Sequence, residues 1–371
     1  MKDTFFKYRA QIAQFANAAY REVENRYMSF IHPLVARYRD PQQHAVPDSE
    51  LNSGQTGPDH ATLTHQPGKD AVVRLQFSVE LNYGISPPGG DFIFNIHAAH
   101  TPRQKVLRED LQLSQSVRYH VETEPVSGNR YFRLHAESGP LQVRYEATVD
   151  IDHHVAAPDQ LTEVPVSDLP SSVLPYIYPS RYCQSDRLQK LAFKEFGNLS
   201  PGYHRAQAIC QWVQQRVSFQ SNSSNVSTSA LDTVVDRVGV CRDFTHLMIA
   251  LCRAVNLPAR FTTGIDYGAD PALGPTDFHA YVEVYLNHGW YIFDPSGAAI
   301  PMGLVRFATG RDAADVAFAT MFGSVASGAP LIHIQVIPNA QGRLIQPEHV
   351  QLALSTDGPE TSARQRSDAA G

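Results

Sequence analysis

The chain has 371 residues, of which 43% are hydrophobic, so it is long enough to bury one large core or two ordinary ones. Lys and Arg total 31, Asp and Glu total 37, and no long run of either sign occurs, which argues against a nucleic-acid-binding protein. No stretch approaches the roughly 18 consecutive apolar residues of a membrane span, and charges interrupt the first residues, so we expect a cytoplasmic protein.

The N-terminal part of the chain contains two kinds of sequence. Residues 1–38 place apolar side chains at helical steps and predict an amphipathic helix, which docks on the protein's own body or on a membrane surface. Residues 39–70 are rich in Pro, Gln, Ser, Gly and Asp and hold almost no large apolar residue. We therefore predict a flexible linker there.

Residues 71–160 have the pattern of an all-β domain. Apolar and polar residues alternate from Val73 to Tyr83, which is the period of a half-buried strand. The alternation returns, between turn sequences, in residues 92–98, 116–124, 131–137 and 141–151. Because no helical period lies between these segments, they predict an antiparallel sandwich or barrel, and we take the sandwich as the prediction. Four histidines of this region are interpreted as surface residues rather than metal ligands: His97, His100, His120 and His135.

A helical period replaces the alternation after a Pro-rich connector, and residues 175–340 are predicted to form a second domain. Ser229 and Asp232 resemble a capping box, which would open a helix that ends near Gly239. Residues 341–371 are predicted to be mostly disordered.

Four cysteines occur, and none belongs to a close C-x-x-C pair of the kind that zinc sites and redox motifs use. Cys241 directly precedes an apolar helical sequence, so we expect it at the N-terminus of a buried helix. The free N–H groups and the dipole at a helix start stabilise a thiolate, and they can also stabilise the oxyanion of a tetrahedral intermediate. Cys252, in the middle of that helix, has the pattern of a packing residue, which is also the alternative interpretation of Cys241.

A predicted hairpin supplies partners for this thiol. Residues 278–285 alternate as a strand, residues 287–289 form a turn, and a second strand ends at Asp294. The start of the first strand lies opposite the end of the second, so His279 and Asp294 meet, and the carboxylate can orient the imidazole as a general base. Taken singly, His279 would be a structural histidine and Asp294 a turn residue. Four acidic residues near these positions either favour basic substrates or are solvated loop charges: Asp243, Asp266, Asp270 and Asp277.

Five ordered segments resemble the transglutaminase-like superfamily, in its bacterial branch with an N-terminal β-domain, whose members are often described as cysteine proteases. They are residues 239–246 (GVCRDFTH), 257–264 (LPARFTTG), 279–284 (HAYVEV), 289–295 (GWYIFDP) and 310–316 (GRDAADV). The resemblance spans roughly residues 72–340. It implies an α+β, papain-like core behind the β-sandwich, with Cys241, His279 and Asp294 as the catalytic triad, no metal or organic cofactor, and a peptide or protein substrate.

Two positions depart from the family pattern. Tyr281 stands where members commonly have Trp, which keeps an aromatic side chain. An upstream Tyr, Trp or Gln often completes the oxyanion site in such enzymes; Phe219 cannot donate, so Gln220 is the candidate here.

We therefore expect a thiol-dependent amide or peptide hydrolase that forms a thioester on Cys241. Resolution of the thioester by an amine instead of water would make it a protein-glutamine transferase. A catalytically silent module that binds peptides or proteins in the same cleft is a further alternative.

Overall fold

The computed structural model describes residues 72–268 and 276–359, so the predicted N-terminal helix (1–38) and linker (39–70) lie outside the described residues. The described strands are β1 (Val73–Ile85), β2 (Gly90–Phe94), β3 (Gln104–Leu113), β4 (Tyr119–Thr123), β5 (Arg130–Ala136), β6 (Gly139–Ile151), β7 (His154–Ala156), β8 (Ser218–Phe219), β9 (Val238–Gly239), β10 (Ala259–Asp266), β11 (Phe278–Leu286), β12 (Gly289–Phe293), β13 (Leu304–Gly310), β14 (Ala319–Phe322), β15 (Val325–Ser327), β16 (Leu331–Val336) and β17 (Ala353–Ser355). The described α-helices are α1 (Ser185–Phe196), α2 (Tyr203–Arg216), α3 (Ala230–Asp236), α4 (Cys241–Ala254) and α5 (Ala313–Val316).

Two antiparallel sheets form the β-domain as a sandwich. β1 pairs along its whole length with β6, and β2 pairs with β5. Alternate residues of these strands are buried in one apolar cluster, where Tyr83 of one sheet contacts Phe92 of the other at 5.2 Å between ring centroids. The alternation read from the sequence therefore marks the faces that pack together.

Two details of this domain differ from the expectations. β3 was not predicted, because Arg108, Glu109 and Asp110 interrupt its alternation, and its pairing with β6 shifts register between Val106 and Arg108. His97 is buried rather than exposed, and its ring lies 4.5 Å from that of Tyr145.

The C-terminal part of the chain returns to complete both sheets. β14 pairs with β2, and β15 and β16 pair with β1. The sandwich is therefore built from two chain segments, and residues 319–336 belong to it rather than to the second domain in which we placed them. The physical reason is that β1 and β2 each have an edge that an added strand satisfies.

The core that follows the sandwich is an antiparallel sheet, in the order β12-β11-β10-β13, against which α4 packs. Every residue of α4 from Asp243 to Ala254 is buried, between the sheet on one side and α1, α2 and α3 on the other. Burial of one side chain such as that of Leu247 contributes about 1.5–3 kcal/mol. The predicted α+β core behind an all-β sandwich is confirmed.

The sandwich closes the free edge of this sheet at β13. The Gln104 side chain donates to the carbonyls of Ala99 and Arg306 at 2.8 Å, and accepts from the Arg306 N–H at 2.9 Å. Asn129 donates to the Thr309 carbonyl at 2.8 Å and accepts from the Thr309 N–H at 2.9 Å. Both carboxamides are buried, and each replaces a missing neighbouring strand because it offers one donor and one acceptor.

The prediction of a mostly disordered segment from residue 341 does not hold for residues 353–357. β17 pairs with β7, and the Asp357 carboxylate accepts from Arg306 at 2.9 Å and from Arg260 at 2.5 Å. Glu283 accepts from Arg260 at 2.6 Å. The segment is fixed because its carboxylate neutralises guanidinium groups that the core has buried.

The capping box predicted for α3 is present, since the Asp232 carboxylate accepts from the Ser229 N–H at 2.9 Å. Within the described ranges, no helix combines the length and the apolar character that crossing a membrane requires.

Candidate active site

Cys241 is the first residue of α4, as the sequence predicted. The Asp243 carboxylate is fully buried and accepts from the Val240 N–H at 2.9 Å, which fixes the start of the helix. Gly239 allows this close approach, because a Cβ atom at that position would lie 2.7 Å from the Asp243 Cβ. Asp243 is thus a helix cap and not the solvated loop charge that we considered; its position three residues after Val240 was the signal that could have identified it.

The environment of Cys241 differs from that of the other three cysteines. Cys241 is partly exposed, whereas Cys183, Cys210 and Cys252 are buried. Burial raises the pKa of the Cys183, Cys210 and Cys252 thiols above the ordinary value, so these three stay protonated near neutral pH. The Cys241 Sγ lies 3.9 Å from the carbonyl oxygen of Phe278. The accessible thiol therefore sits beside the start of β11.

The predicted hairpin brings His279 and Asp294 to the same end of the sheet. β11 and β12 pair through Val282 and Phe293, and a two-residue turn with positive φ at Asn287 and His288 joins them. Continued by one residue, this register sets Asp294 opposite Tyr281, two residues from His279. His279 Nε2 lies 3.4 Å from Asp294 Oδ1.

Both members of this pair are buried, and their charged forms stabilise each other. Burial opposes protonation of the His279 ring, but the Asp294 carboxylate and the Cys241 sulfur outweigh it and hold the pKa of His279 well above its ordinary value. Burial likewise opposes ionisation of Asp294, yet His279, Ser296 and Ala299 lower its pKa. The Asp294 carboxylate accepts from the Ser296 hydroxyl at 2.7 Å and from the Ala299 N–H at 2.9 Å. The loop after β12 therefore fixes the carboxylate that faces the imidazole.

A hydrogen bond between α4 and β11 sets the distance between the cysteine and the histidine. Thr245 Oγ1 donates to the carbonyl of Ala280 at 3.0 Å, and both residues are buried. Thr245 is one helical turn after Cys241, and Ala280 follows His279 directly. The bond thus holds the start of the helix against the start of the strand.

Gln220 is hydrogen-bonded to the chain just before Cys241. Its backbone N–H donates to the carbonyl of Gly239 at 2.9 Å, next to the parallel pair of β8 and β9. Its side chain is exposed. Arg242 holds the following loop, because its guanidinium donates to Ser224 Oγ at 2.9 Å and to the carbonyl of Asn225 at 2.7 Å. The role of Gln220 as an oxyanion donor stays a prediction.

The sequence interpretation left the burial of one neighbour of this site open and missed another neighbour. Asp266, considered as a solvated charge, is only 4% exposed. Phe318 comes from the returning C-terminal segment, and its ring stacks on that of Phe278 at 4.2 Å between centroids. No local pattern marks Phe318, since the contact joins residues 40 positions apart (318 minus 278). Asp270 lies outside the described residues, and Asp277 is exposed.

Comparisons with known proteins agree with this architecture. Residues 189–295, which include Cys241, His279 and Asp294, match the model of the transglutaminase-like superfamily. Residues 73–172 match the model of the bacterial transglutaminase N-terminal domain. A solved structure from Cytophaga hutchinsonii, described as a candidate cysteine protease, is 38% identical, has a TM-score of 0.70, and is matched over 76% of this chain and 97% of its own.

Two mycobacterial relatives share a shorter region. An uncharacterised protein of Mycobacterium leprae is 29% identical over 115 residues, which are 30% of this chain and 41% of that protein. An uncharacterised protein of Mycobacterium tuberculosis is 30% identical over 143 residues, which are 36% of this chain and 46% of that protein. The chain thus spans less than half the length of these relatives. Together with the fold and the two family models, the match to the Cytophaga protein shows that the chain belongs to the transglutaminase-like superfamily and carries the N-terminal domain of its bacterial members.

Proposed function

We propose that the protein is a thiol-dependent amide or peptide hydrolase that works through a thioester on Cys241. The observation that carries the proposal is the buried His279–Asp294 pair beside the one partly exposed thiol of the described residues, at a helix start. Because the pKa of His279 is raised by groups that favour its charged form, the imidazolium is the expected resting form of this ring.

The first half of the reaction forms the thioester. The Cys241 thiolate attacks the amide carbonyl, and the N–H groups at the start of α4 stabilise the oxyanion, with Gln220 as the candidate second donor. Because His279 Nε2 faces Asp294, Nδ1 is the nitrogen that remains for proton exchange at the sulfur. The imidazolium gives its proton to the leaving nitrogen as the C–N bond breaks.

The second half releases the acid. Neutral His279 takes a proton from water, the hydroxyl attacks the thioester, and the C–S bond breaks to return the thiolate and a carboxylic acid. An amine in place of water would give a new amide by the same route. We favour hydrolysis because the Cytophaga hutchinsonii protein, 38% identical, is described as a candidate cysteine protease. A cytoplasmic location, expected from the sequence, stays a prediction.

A peptide-library digest tests the proposal, with product masses that separate a free carboxylate from a new amide. The wild-type chain should cleave amides in the absence of added amine. Cys241→Ala should abolish cleavage, and Cys252→Ala, in the middle of the same helix, is the matched control that should keep it. Cleavage that survives Cys241→Ala would overturn the proposal.

A further inference from the structure

Two carboxylates lie next to the reactive centre and form no ion pair with the residues that the structure describes; we call Asp266 and Asp277 the acidic pair. Asp266 ends β10, is 4% exposed, and its Oδ2 is buried without a hydrogen-bond partner. Leaving a buried carboxylate oxygen unpaired costs stability, so such a group points to a partner that residues 72–268 and 276–359 do not supply.

The position of the acidic pair follows from the register of the sheet. β10 and β11 pair up to Ile265 and Phe278, and one further step sets Asp266 opposite Asp277. Asp277 is exposed, and its Oδ1 accepts from the Phe278 N–H at 2.7 Å. The carbonyl of Phe278 lies 3.9 Å from the Cys241 Sγ, so Asp277 directly precedes the residue that faces the nucleophile.

The other charged side chains near the acidic pair already have partners of opposite charge. Asp294 faces His279, and Arg306 is occupied by Asp357. In residues 72–268 and 276–359, neither carboxylate of the acidic pair forms an ion pair with Lys, Arg or His within 4.0 Å. Burial raises the pKa of Asp266; His279 opposes the rise, and Asp294 and Asp277 add to it. A positive charge brought to this place would meet two unmatched carboxylates.

The residue that follows Asp277 in the chain is aromatic, and a second ring packs on it. The rings of Phe278 and Phe318 stack at 4.2 Å with an interplanar angle of 11°, and Phe318 is 37% exposed. A Lys or Arg side chain combines an apolar stem, which can pack on an exposed ring, with a cationic head that carboxylate oxygens attract.

We propose that Asp266 and Asp277 form a subsite for a Lys or Arg side chain of the substrate, close to the carbonyl that Cys241 attacks. The inference rests on the proposed function, whose substrate class it names. Asp277 meets the cation at the surface, and Asp266 supplies the deeper carboxylate.

Paired chloromethyl ketones test the subsite through the rate at which they alkylate Cys241. One probe carries arginine beside the reactive carbon and the other carries citrulline, which has nearly the same shape without the charge. Alkylation is followed by mass spectrometry of the Cys241 peptide, in the wild-type chain, in Asp266→Asn, in Asp277→Asn and in the exposed control Asp236→Asn. The readout is the ratio of the arginine rate to the citrulline rate.

We expect this ratio to be about tenfold in the wild type, since a charged hydrogen bond of this kind discriminates by roughly one order of magnitude. The ratio should fall towards one in Asp277→Asn and in Asp266→Asn, and should be kept in Asp236→Asn. Because Asp277 is exposed, its variant keeps the test valid if Asp266→Asn does not fold.

A ratio near one in the wild type, or one that both variants retain, overturns the subsite while Cys241 is still labelled. Failure of both probes to label Cys241 of the folded chain overturns the proposed function, and the subsite with it. The two failures are thus distinguishable.

Discussion

His279 Nε2 lies 3.4 Å from Asp294 Oδ1, and both side chains are more than nine-tenths buried. This is an ion-pair distance, but Nε2 has no aligned hydrogen bond in the free protein. Such pairs often tighten only when substrate is bound. The pair joins the start of β11 to the end of β12, so the hairpin that the sequence predicts is what makes the contact.

Iodoacetamide in less than stoichiometric amount should alkylate Cys241 selectively near neutral pH. Cys183, Cys210 and Cys252 are buried and their thiol pKa values are raised, so little thiolate is available there. Mass spectrometry of the digested protein gives the labelled fraction at each cysteine. Equal labelling of all four would favour the catalytically silent alternative.

Replacement of Asp294 by Asn should lower kcat for amide cleavage by about 10²–10⁴-fold. The amide keeps the size of the carboxylate but removes the charge that holds the imidazole in its protonated form. The stopped-flow rate of acylation, measured against pH, separates this loss from a change in binding. A variant with the wild-type profile would show that Asp294 does not orient His279.

The stability of the fold should fall as the pH falls from about 6.5 to about 4, in part because of His97. Burial, with a smaller contribution from Arg130, lowers the pKa of His97 to about 4 against the opposing effect of Glu109. The unfolded chain thus takes up the proton first, which costs the folded state about 1.4 kcal/mol for each pH unit in this window. The contribution of His279 to the pH dependence of stability has the opposite sign. Its raised pKa stabilises the folded state at low pH, and this stability is lost as the pH rises.

His97→Phe separates these contributions, since an aromatic ring still fills the site but does not titrate. Urea unfolding at pH 7 and pH 5 should show a smaller loss of stability for this variant than for the wild type. The same pH dependence in both proteins would contradict the assignment to His97.

Gln104→Ala should destabilise the protein by about 1–3 kcal/mol, because the buried N–H of Arg306 loses its acceptor at the edge of the sheet, while the carbonyl of Arg306 keeps the Ala99 N–H as a donor. Urea unfolding followed by fluorescence measures the loss. Gln112→Ala, on the exposed face of β3, is the matched control and should change stability by less than about 0.5 kcal/mol. Equal effects would show that the sandwich does not support β13 through this carboxamide.

Asp357→Asn should cost about 2–4 kcal/mol, since it leaves the buried guanidinium groups of Arg260 and Arg306 short of negative charge. Asp152→Asn is the control, because its pair with Arg103 is about half exposed and should contribute less than about 1 kcal/mol. Thermal unfolding of the two variants, in parallel with the wild type, gives the comparison. A small loss for Asp357→Asn would mean that the C-terminal segment does not hold the core.

The sequence predicted well those features that depend on a single strand, helix or hairpin. The strict alternation of β1 marks its buried face, the acid at Asp232 marks the start of α3, and the turn at Asn287 and His288 closes the hairpin. Each of these follows from a period or a spacing within a few residues. β3 was not predicted because its charged residues break the alternation. The burial of His97 was not predicted because strand position alone does not tell which histidine faces the core.

By itself, then, the sequence determined that a cysteine begins a buried helix and that a hairpin pairs a histidine with an aspartate. Only the tertiary structure decided that Thr245 donates a hydrogen bond to Ala280, which holds Cys241 near His279. It also decided that Phe318 packs on Phe278 and that Asp266 is buried. These contacts join segments far apart in the chain, and their energies depend on desolvation and packing, which no spacing of residues encodes.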